Sequence, residues 1–257
     1  MIFLLISCAA PLPQAPENLE DLCKYIFARV DTEQEPELTA GLNNLYTWLD
    51  TDDHLEQTSE GYQVYPIEQE AVDNLDDTER IVGEKQMGAA VAFEHNFDIY
   101  DVALASFVEH WPTVSGSDYE VYERTFDGDA NCILDKTCDW ITYDNYSISS
   151  WAGLVTVESD LKGQVRWVPT DFGDMLVQRT WMKVPAIITP DSLGLKVDAQ
   201  YFVSVILPNN GKAIRANATW IETEYGVLPV SEDWAKSQIV STMVGQEDAI
   251  EAYLGGR

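Results

Sequence analysis

The second half of the chain is a succession of β-type segments separated by turn residues, and this pattern limits the possible folds more than any other feature. Asn209-Asn210-Gly211 is a strong hairpin signal, because Asn and Gly tolerate the positive φ angles of a type I′ turn. Asp160–Gly163 and Asp171–Asp174 are predicted as two further hairpin connections. The spacing predicts an antiparallel sheet with strands over 119–126, 140–146, 152–158, 164–169, 175–184, 196–207 and 213–223.

Helical segments flank this series of strands. Residues 88–93 form an apolar strand, and Asp98 is placed to cap a helix over 99–110. A last helix starts near Ser231, and Gly245 lies inside it and could interrupt it. Its apolar residues are Trp234, Ile239, Met243, Ile250 and Tyr253.

The resulting order is strand, helix, about seven strands and a long C-terminal helix. This order resembles the helix-grip fold of the START and Bet v 1-like families, over roughly residues 87–254. The resemblance rests on element order and not on a sequence motif. It implies an α+β fold in which a curved antiparallel sheet grips the C-terminal helix around an apolar cavity. Members of these families mostly bind lipids, sterols or polyketides, and some are cyclases. Another antiparallel α+β arrangement is the alternative.

The region before this domain is acidic and helical. Apolar residues recur at helical spacing from Leu19 to Val30 and from Leu38 to Leu49, which predicts a helical hairpin over 17–49 with Trp48 turned inward. Residues 50–86 lack a clear pattern and suit a linker or a loosely ordered flap. We therefore expect an acidic helical extension over 17–86 and the antiparallel α+β domain over 87–257.

The first residues predict a membrane anchor. Leu5-Ile6-Ser7-Cys8 follows an apolar run and resembles a bacterial lipobox, in which a signal peptide is cut before a cysteine that then carries lipid. Residues 1–7 are shorter than an ordinary signal peptide, so either that peptide begins upstream of Met1 or the match is accidental. The resemblance implies lipidation of Cys8, a proline-rich linker over 8–16, and a location in the bacterial cell envelope. The protein would face the periplasm or lie at the outer membrane.

The charge of the chain excludes one class of partner. The formal net charge is −29, with 44 Asp and Glu against 15 Lys and Arg. Nucleic-acid binding depends on clustered basic residues, so we expect no nucleic-acid partner. Acidic residues are dense in the N-terminal extension, where they could attract cations or basic partners or could simply form a solvated surface.

The cysteines suggest one disulfide. Cys132 and Cys138 lie in the same polar loop, and in an oxidising compartment a bond between them is expected. Cys23 sits on an apolar helical stripe and is expected to be a buried free thiol.

Alternation along two strands suggests residues for the cavity. Val177, Arg179 and Trp181 share one face of the segment 175–184. If this face lines the cavity, Arg179 is either part of an internal ion pair or a receptor for an anionic ligand group, because a buried guanidinium needs a partner. Tyr201 and Trp220 belong to the same predicted ligand-binding set, although ordinary core packing explains them equally well.

The sequence predicts no cofactor and offers only one candidate metal site. Asp127, Asp129 and Asn131 place oxygen atoms at alternate positions, as in calcium loops. An EF-hand needs Gly and Glu where this chain has Cys132 and Cys138, which leaves only a weak calcium candidate. We expect no cofactor and no catalytic residue.

These observations lead to three functional hypotheses. The first is a non-enzymatic, lipid-anchored envelope protein that binds an apolar small molecule. The second is a structural lipoprotein that docks a protein partner through its acidic N-terminal helices. The third is an enzyme of the polyketide-cyclase type, for which alternation offers only Arg179 and Glu123 as polar groups in the cavity.

Overall fold

In the computed structural model, residues 14–31, 35–51, 53–75, 82–83, 86–115, 119–151, 155–227 and 230–257 are described. Among these residues, the N-terminal part contains four helices and a short strand. These are α1 (Leu19–Ala28), α2 (Glu35–Leu49), α3 (His54–Ser59), β1 (Tyr62–Gln63) and α4 (Gln69–Val72). The hairpin predicted over 17–49 corresponds to α1 and α2, whereas residues 50–86 contain more regular structure than the predicted linker.

The rest of the chain builds a long antiparallel sheet. Its helices are α5 (Ile99–Ser106), α6 (Pro112–Ser115), α7 (Asn131–Leu134) and α8 (Glu232–Gly255). Its strands are β2 (Gln86–His95), β3 (Tyr119–Phe126), β4 (Trp140–Trp151), β5 (Val155–Thr170), β6 (Gly173–Met182), β7 (Ile187–Thr189), β8 (Leu195–Asn209) and β9 (Lys212–Tyr225). Among the described residues these strands form, with β1, one nine-stranded sheet in the order β1-β2-β9-β8-β6-β5-β4-β3, with β7 paired to β5. The predicted α+β fold, a curved antiparallel sheet with a long C-terminal helix, is confirmed.

Two of the three predicted hairpin turns are present in the structure. Asn210 and Gly211 have φ angles of 50° and 83°, as a turn between β8 and β9 with two positive φ angles requires. The turn at Asp171 and Phe172 joins β5 to β6. The third prediction is wrong: Asp160–Gly163 is not a turn but the middle of β5. Pairing with β4 and β6 on both sides keeps the backbone extended there, which overrides the local turn preference.

One face of the sheet is covered by the N-terminal helices. The apolar stripes of α1 and α2 share a hydrophobic core with this face, from Leu19 and Leu22 to Val177 and Val203. The N-terminal extension is therefore part of the folded body, and only the acidic sides of its helices remain outside the core.

The opposite face carries α5 and α8. The side chain of Asp98 accepts hydrogen bonds from the backbone N–H groups of Tyr100 and Asp101, which confirms the predicted cap, although α5 ends at Ser106 and not at residue 110. Ser231 caps α8 by accepting from the N–H of Trp234. The helix continues through Gly245 without a break, and its buried residues recur every three or four positions on both sides of that glycine.

A buried polar network attaches α8 to the sheet. The fully buried carboxylate of Glu247 accepts hydrogen bonds from Arg215 and from Asn217 (2.5 Å), and it lies 3.0 Å from Nε2 of His95. The other ring nitrogen of His95 lies 3.1 Å from Glu251. Burial alone would raise the pKa of Glu251, but hydrogen bonds from Asn96 and His95 outweigh it and lower the pKa below its usual value. Helix position is thus fixed by charge pairing as well as by apolar contact.

The substitution Glu247→Gln tests this attachment. It removes the negative charge but keeps the shape, so the buried guanidinium of Arg215 loses its carboxylate partner. We expect the free energy of unfolding to fall by about 3 kcal/mol in urea titrations, since removing one member of a buried ion pair is costly.

The matched control is Asp248→Asn, the same chemical change at the next, exposed position of α8. It should alter the stability by less than about 0.5 kcal/mol. Equal effects of the two substitutions would contradict the proposed role of Glu247.

Candidate ligand-binding cavity

A cavity of about 470 Å³ lies between the sheet and α8. It is lined by β3, β4, β5, β6, β8 and β9 on the sheet side and by α8 on the helix side. This volume is within the range of small-molecule sites, about 300–1,000 Å³. The space is therefore large enough for a ligand.

Strand alternation decides which side chains reach this space. On β4 the residues Tyr143, Asn145 and Ser147 face the cavity, and on β6 Gln178 and Thr180 do. On β8 an irregularity between Val197 and Ala199 shifts the alternation. The cavity-facing residues of β8 are therefore Leu195, Val197, Gln200 and Phe202.

The lining combines apolar surface with neutral polar groups. The apolar members are the side chains Trp111, Val157, Leu161, Met182, Leu195, Val197, Phe202, Ile221, Trp234, Ala235, Ile239 and Met243. Among the described lining residues there is no Asp, Glu, Lys or His, and the only cationic ones are Arg124 and Arg215. A chain with 44 acidic residues thus keeps carboxylates out of this space.

A hydrogen-bonded group on β4 and β6 fixes part of the polar wall. Tyr143 Oη lies 3.0 Å from Thr180 Oγ1 and also accepts a hydrogen bond from Gln178. The Tyr143 ring lies over the backbone of Gly163, where a Cβ atom would be 2.0 Å from the ring carbon Cζ. Because glycine has no Cβ atom, Gly163 leaves room on β5 for the Tyr143 ring.

Arg124 lies at the same wall, on β3. Its Nη1 donates hydrogen bonds of 3.2 Å to the carbonyl oxygens of Ser106 and Val108. Its guanidinium carbon is 5.1 Å from the ring centre of Tyr143 and 5.6 Å from that of Tyr122. Burial raises the pKa of Tyr122 and Tyr119 above the usual range, with Arg124 opposing the rise, so both phenols remain protonated at neutral pH.

The five residues predicted to bind ligand lie elsewhere. Val177, Arg179, Trp181, Tyr201 and Trp220 share one face, as alternation indicates, but it is the face covered by the N-terminal helices. The prediction that this face lines the cavity is therefore wrong. Both faces of the sheet carry apolar residues, and periodicity alone does not tell which one packs against α1.

The contacts of these residues are those of a core. The ring of Phe27 meets Tyr201 and Trp220 edge-on, with ring centres 5.8 and 5.9 Å apart. Arg179 is 1 % exposed and donates to Asp31 (2.7 Å) and Gln164 (2.6 Å). Of the two roles considered for Arg179, the internal ion pair is the one present.

The remaining predicted residues stand apart from the cavity. Glu123 on β3 is exposed and faces away from it. In the calcium candidate, Asp129 accepts from the N–H and side chain of Asn131, and Asp127 accepts from Thr142. No group of three or more His, Cys, Asp or Glu residues that could hold a metal occurs in the described part of the chain.

Two cysteine predictions are confirmed and one lies outside the described residues. Cys132 and Cys138 form a disulfide in the loop that contains α7. Cys23 is a buried free thiol, and burial raises its pKa to about 12. Cys8 and the predicted lipobox lie outside the described residues.

Sequence reasoning missed Arg124. The signal that could have found it is the alternation Tyr122, Arg124, Phe126, an arginine between two aromatic residues on one face of a predicted strand. Glu123, the candidate named from the sequence, lies on the other face. The sequence alone does not show which face of β3 points into the cavity, since that depends on how β3 pairs with β4.

Comparison with solved structures finds proteins of low sequence identity to this chain. A START superfamily protein from Mycobacterium smegmatis is 12 % identical, with 66 % of this chain and 97 % of that chain covered and a TM-score of 0.41. A fragment of a STAR-related lipid transfer protein from Xanthomonas axonopodis is 12 % identical, with 68 % and 96 % covered and a TM-score of 0.43. Norcoclaurine synthase from Thalictrum is 12 % identical, with 66 % and 94 % covered and a TM-score of 0.37.

Because these TM-scores are below 0.5, the fold assignment rests on the strand order and on the position of α8. No protein-family model and no curated protein matches the chain. In the described residues, no helix has both the length and the apolar character needed to cross a membrane.

Two glycine substitutions test the wall of the cavity. Gly163→Ala places a methyl group against the Tyr143 ring and should force it out of its hydrogen bonds to Gln178 and Thr180. We expect a loss of about 1–3 kcal/mol of stability, as in other overpacked sites, measured by urea unfolding.

Gly245→Ala is the control, because a Cβ atom there meets nothing within 4 Å. Alanine in the interior of α8 should stabilise the protein by up to about 1 kcal/mol. If Gly163→Ala is neutral or stabilising, the position of the Tyr143 ring given above is wrong.

Proposed function

We propose that the protein binds an apolar or amphipathic small molecule between its sheet and α8. The observation that carries this proposal is the cavity of about 470 Å³, whose described lining is apolar or neutral apart from two arginines. Ligand binding in such a cavity is favourable because apolar ligand surface leaves water. Each Å² of apolar surface removed from water contributes roughly 25 cal/mol of favourable free energy.

Features of the wall support a binding role over simple packing. Most apolar positions on the other face of the sheet are filled by the side chains of α1 and α2. On the α8 side, in contrast, aromatic and aliphatic groups such as Phe202, Met182 and Trp234 border open space. One face of the sheet is therefore filled by side chains, whereas the other retains space for a ligand.

A cavity-filling substitution tests the proposal. Ser147 lies on the cavity wall, and Ser147→Trp would place a large ring inside the space. The fluorescent apolar probe 1-aminoanthracene should bind the unmodified protein, and its affinity for the variant should fall at least about ten-fold, because one or two kcal/mol of lost contact suffices. Fluorescence titration measures both.

The control is Thr125→Trp, which introduces the same ring at an exposed position of β3. It should leave probe binding unchanged, and circular dichroism should show both variants folded. Absence of probe binding to the unmodified protein, or equal binding by the two variants, would refute the cavity as a ligand site.

We further propose that the protein is held at the bacterial cell envelope by lipid on Cys8. The support is the sequence Leu5-Ile6-Ser7-Cys8 together with the disulfide between Cys132 and Cys138, since disulfides persist mainly in oxidising compartments. A membrane-anchored carrier would hold its cavity close to a supply of apolar molecules.

The substitution Cys8→Ser tests the anchor. When the full-length chain is expressed with its native upstream sequence in a bacterium, the unmodified protein should sediment with membranes and the variant should remain in the soluble fraction. Cys23→Ser is the control, because that thiol is buried in the core and carries no lipid in this proposal. An unlipidated N-terminus by mass spectrometry would exclude the anchor.

A further inference from the structure

We propose that the cavity selects amphiphiles with an anionic head group and that Arg124 receives this group. The inference rests on the proposed ligand-binding function of the cavity and adds the chemical class of the ligand. A carboxylate and a phosphate share the required chemistry, a negative charge spread over oxygen atoms that accept hydrogen bonds.

The distribution of charge is the first argument. The formal net charge of the chain is −29, yet the described lining of the cavity contains no carboxylate and two guanidinium groups. Binding of a neutral apolar ligand does not require an unpaired cation in the lining. The charge of the lining is thus opposite to that of the protein as a whole.

The two arginines differ in their pairing. Arg215 is buried and forms an ion pair with the buried carboxylate of Glu247, so this pair adds no net charge to the cavity. Arg124, in contrast, forms no ion pair with any described carboxylate, and its hydrogen bonds go to two backbone carbonyl oxygens. The net positive charge of the lining therefore belongs to Arg124.

The geometry of Arg124 leaves donors for a ligand. The carbonyl oxygens of Ser106 and Val108, at the C-terminal end of α5, hold Nη1 and fix the side chain. Nε of Arg124 and the hydroxyl of Tyr122 are both buried, and among the described residues they have no hydrogen-bond partner other than each other. Both groups can donate to an anion in the cavity, and a hydrogen bond between a guanidinium and an anion is stronger than one to a neutral hydroxyl.

The surroundings suit the rest of such a ligand. Tyr122 stays protonated at neutral pH because burial raises its pKa, so its hydroxyl can donate to an anion. Beyond the polar wall, apolar side chains from β5, β8 and α8 border the cavity, among them Leu161, Phe202 and Met243. An alkyl chain can lie along them while its head group meets Arg124.

The test compares three probes that share a twelve-carbon chain: dodecanoate, dodecyl phosphate and dodecanol. Isothermal titration calorimetry with the full-length protein should give at least about ten-fold tighter binding for one or both anions than for the alcohol, because a hydrogen bond to a charged group contributes about that much. Arg124→Gln should abolish this preference, because it should weaken the binding of the two anions far more than the binding of dodecanol. Tyr122→Phe should reduce the preference by a smaller factor.

Arg29→Gln is the matched control, since it removes the same charge from the end of α1, on the opposite side of the sheet. It should keep the preference for anions. Which anion binds more tightly distinguishes a carboxylate ligand from a phosphate ligand.

The outcomes separate the two proposals. Equal binding of all three probes to the unmodified protein would overturn the role of Arg124 and leave the cavity as a ligand site. An anion preference that survives Arg124→Gln would also overturn that role. Failure of all three probes to bind would overturn the ligand-binding function and the head-group inference with it.

Discussion

The attachment of α8 to the sheet is the constraint on which the rest of the structure depends. Burying the carboxylate of Glu247 costs several kcal/mol, and its bonds to Arg215 and Asn217 and its contact with His95 offset that cost. These partners come from β2 and β9, so the network holds the C-terminal half of the helix at one end of the sheet. Farther towards its N-terminus, α8 packs Ala235, Ile239 and Met243 on β2, and these same residues also border the cavity.

The two faces of the sheet differ because helices fill one of them with side chains and leave a cavity on the other. The helices α1 and α2 fill the first face with Leu, Ile and Phe side chains, and Asp31, which follows α1, pairs with its buried Arg179. The second face is covered by α5 and α8, which leave a cavity between helix and strands. The acidic extension, which looks like an appendage in the sequence, thus fills one face of the sheet, and the cavity lies on the other.

Much of this fold could be predicted from the sequence, since turn residues such as Asn210 and Gly211 and caps such as Asp98 act locally. The continuity of β5 through Gly163 could not, because pairing with two neighbouring strands decides it. The candidate site was misassigned for a related reason. Alternation correctly placed Arg179 with Trp181 on one face, but only tertiary packing shows that this face meets α1 and that Arg124 belongs to the other.

The central claim is that an amphiphile occupies the space between the sheet and α8 with its charged end at β3. A crystal structure of the protein grown with dodecanoate tests this claim most directly. The account predicts density for the alkyl chain inside the cavity and carboxylate oxygens within about 3 Å of Arg124, the length of an ordinary hydrogen bond. A structure in which α8 closes onto the strands and leaves no space, or in which dodecanoate binds elsewhere, would contradict it.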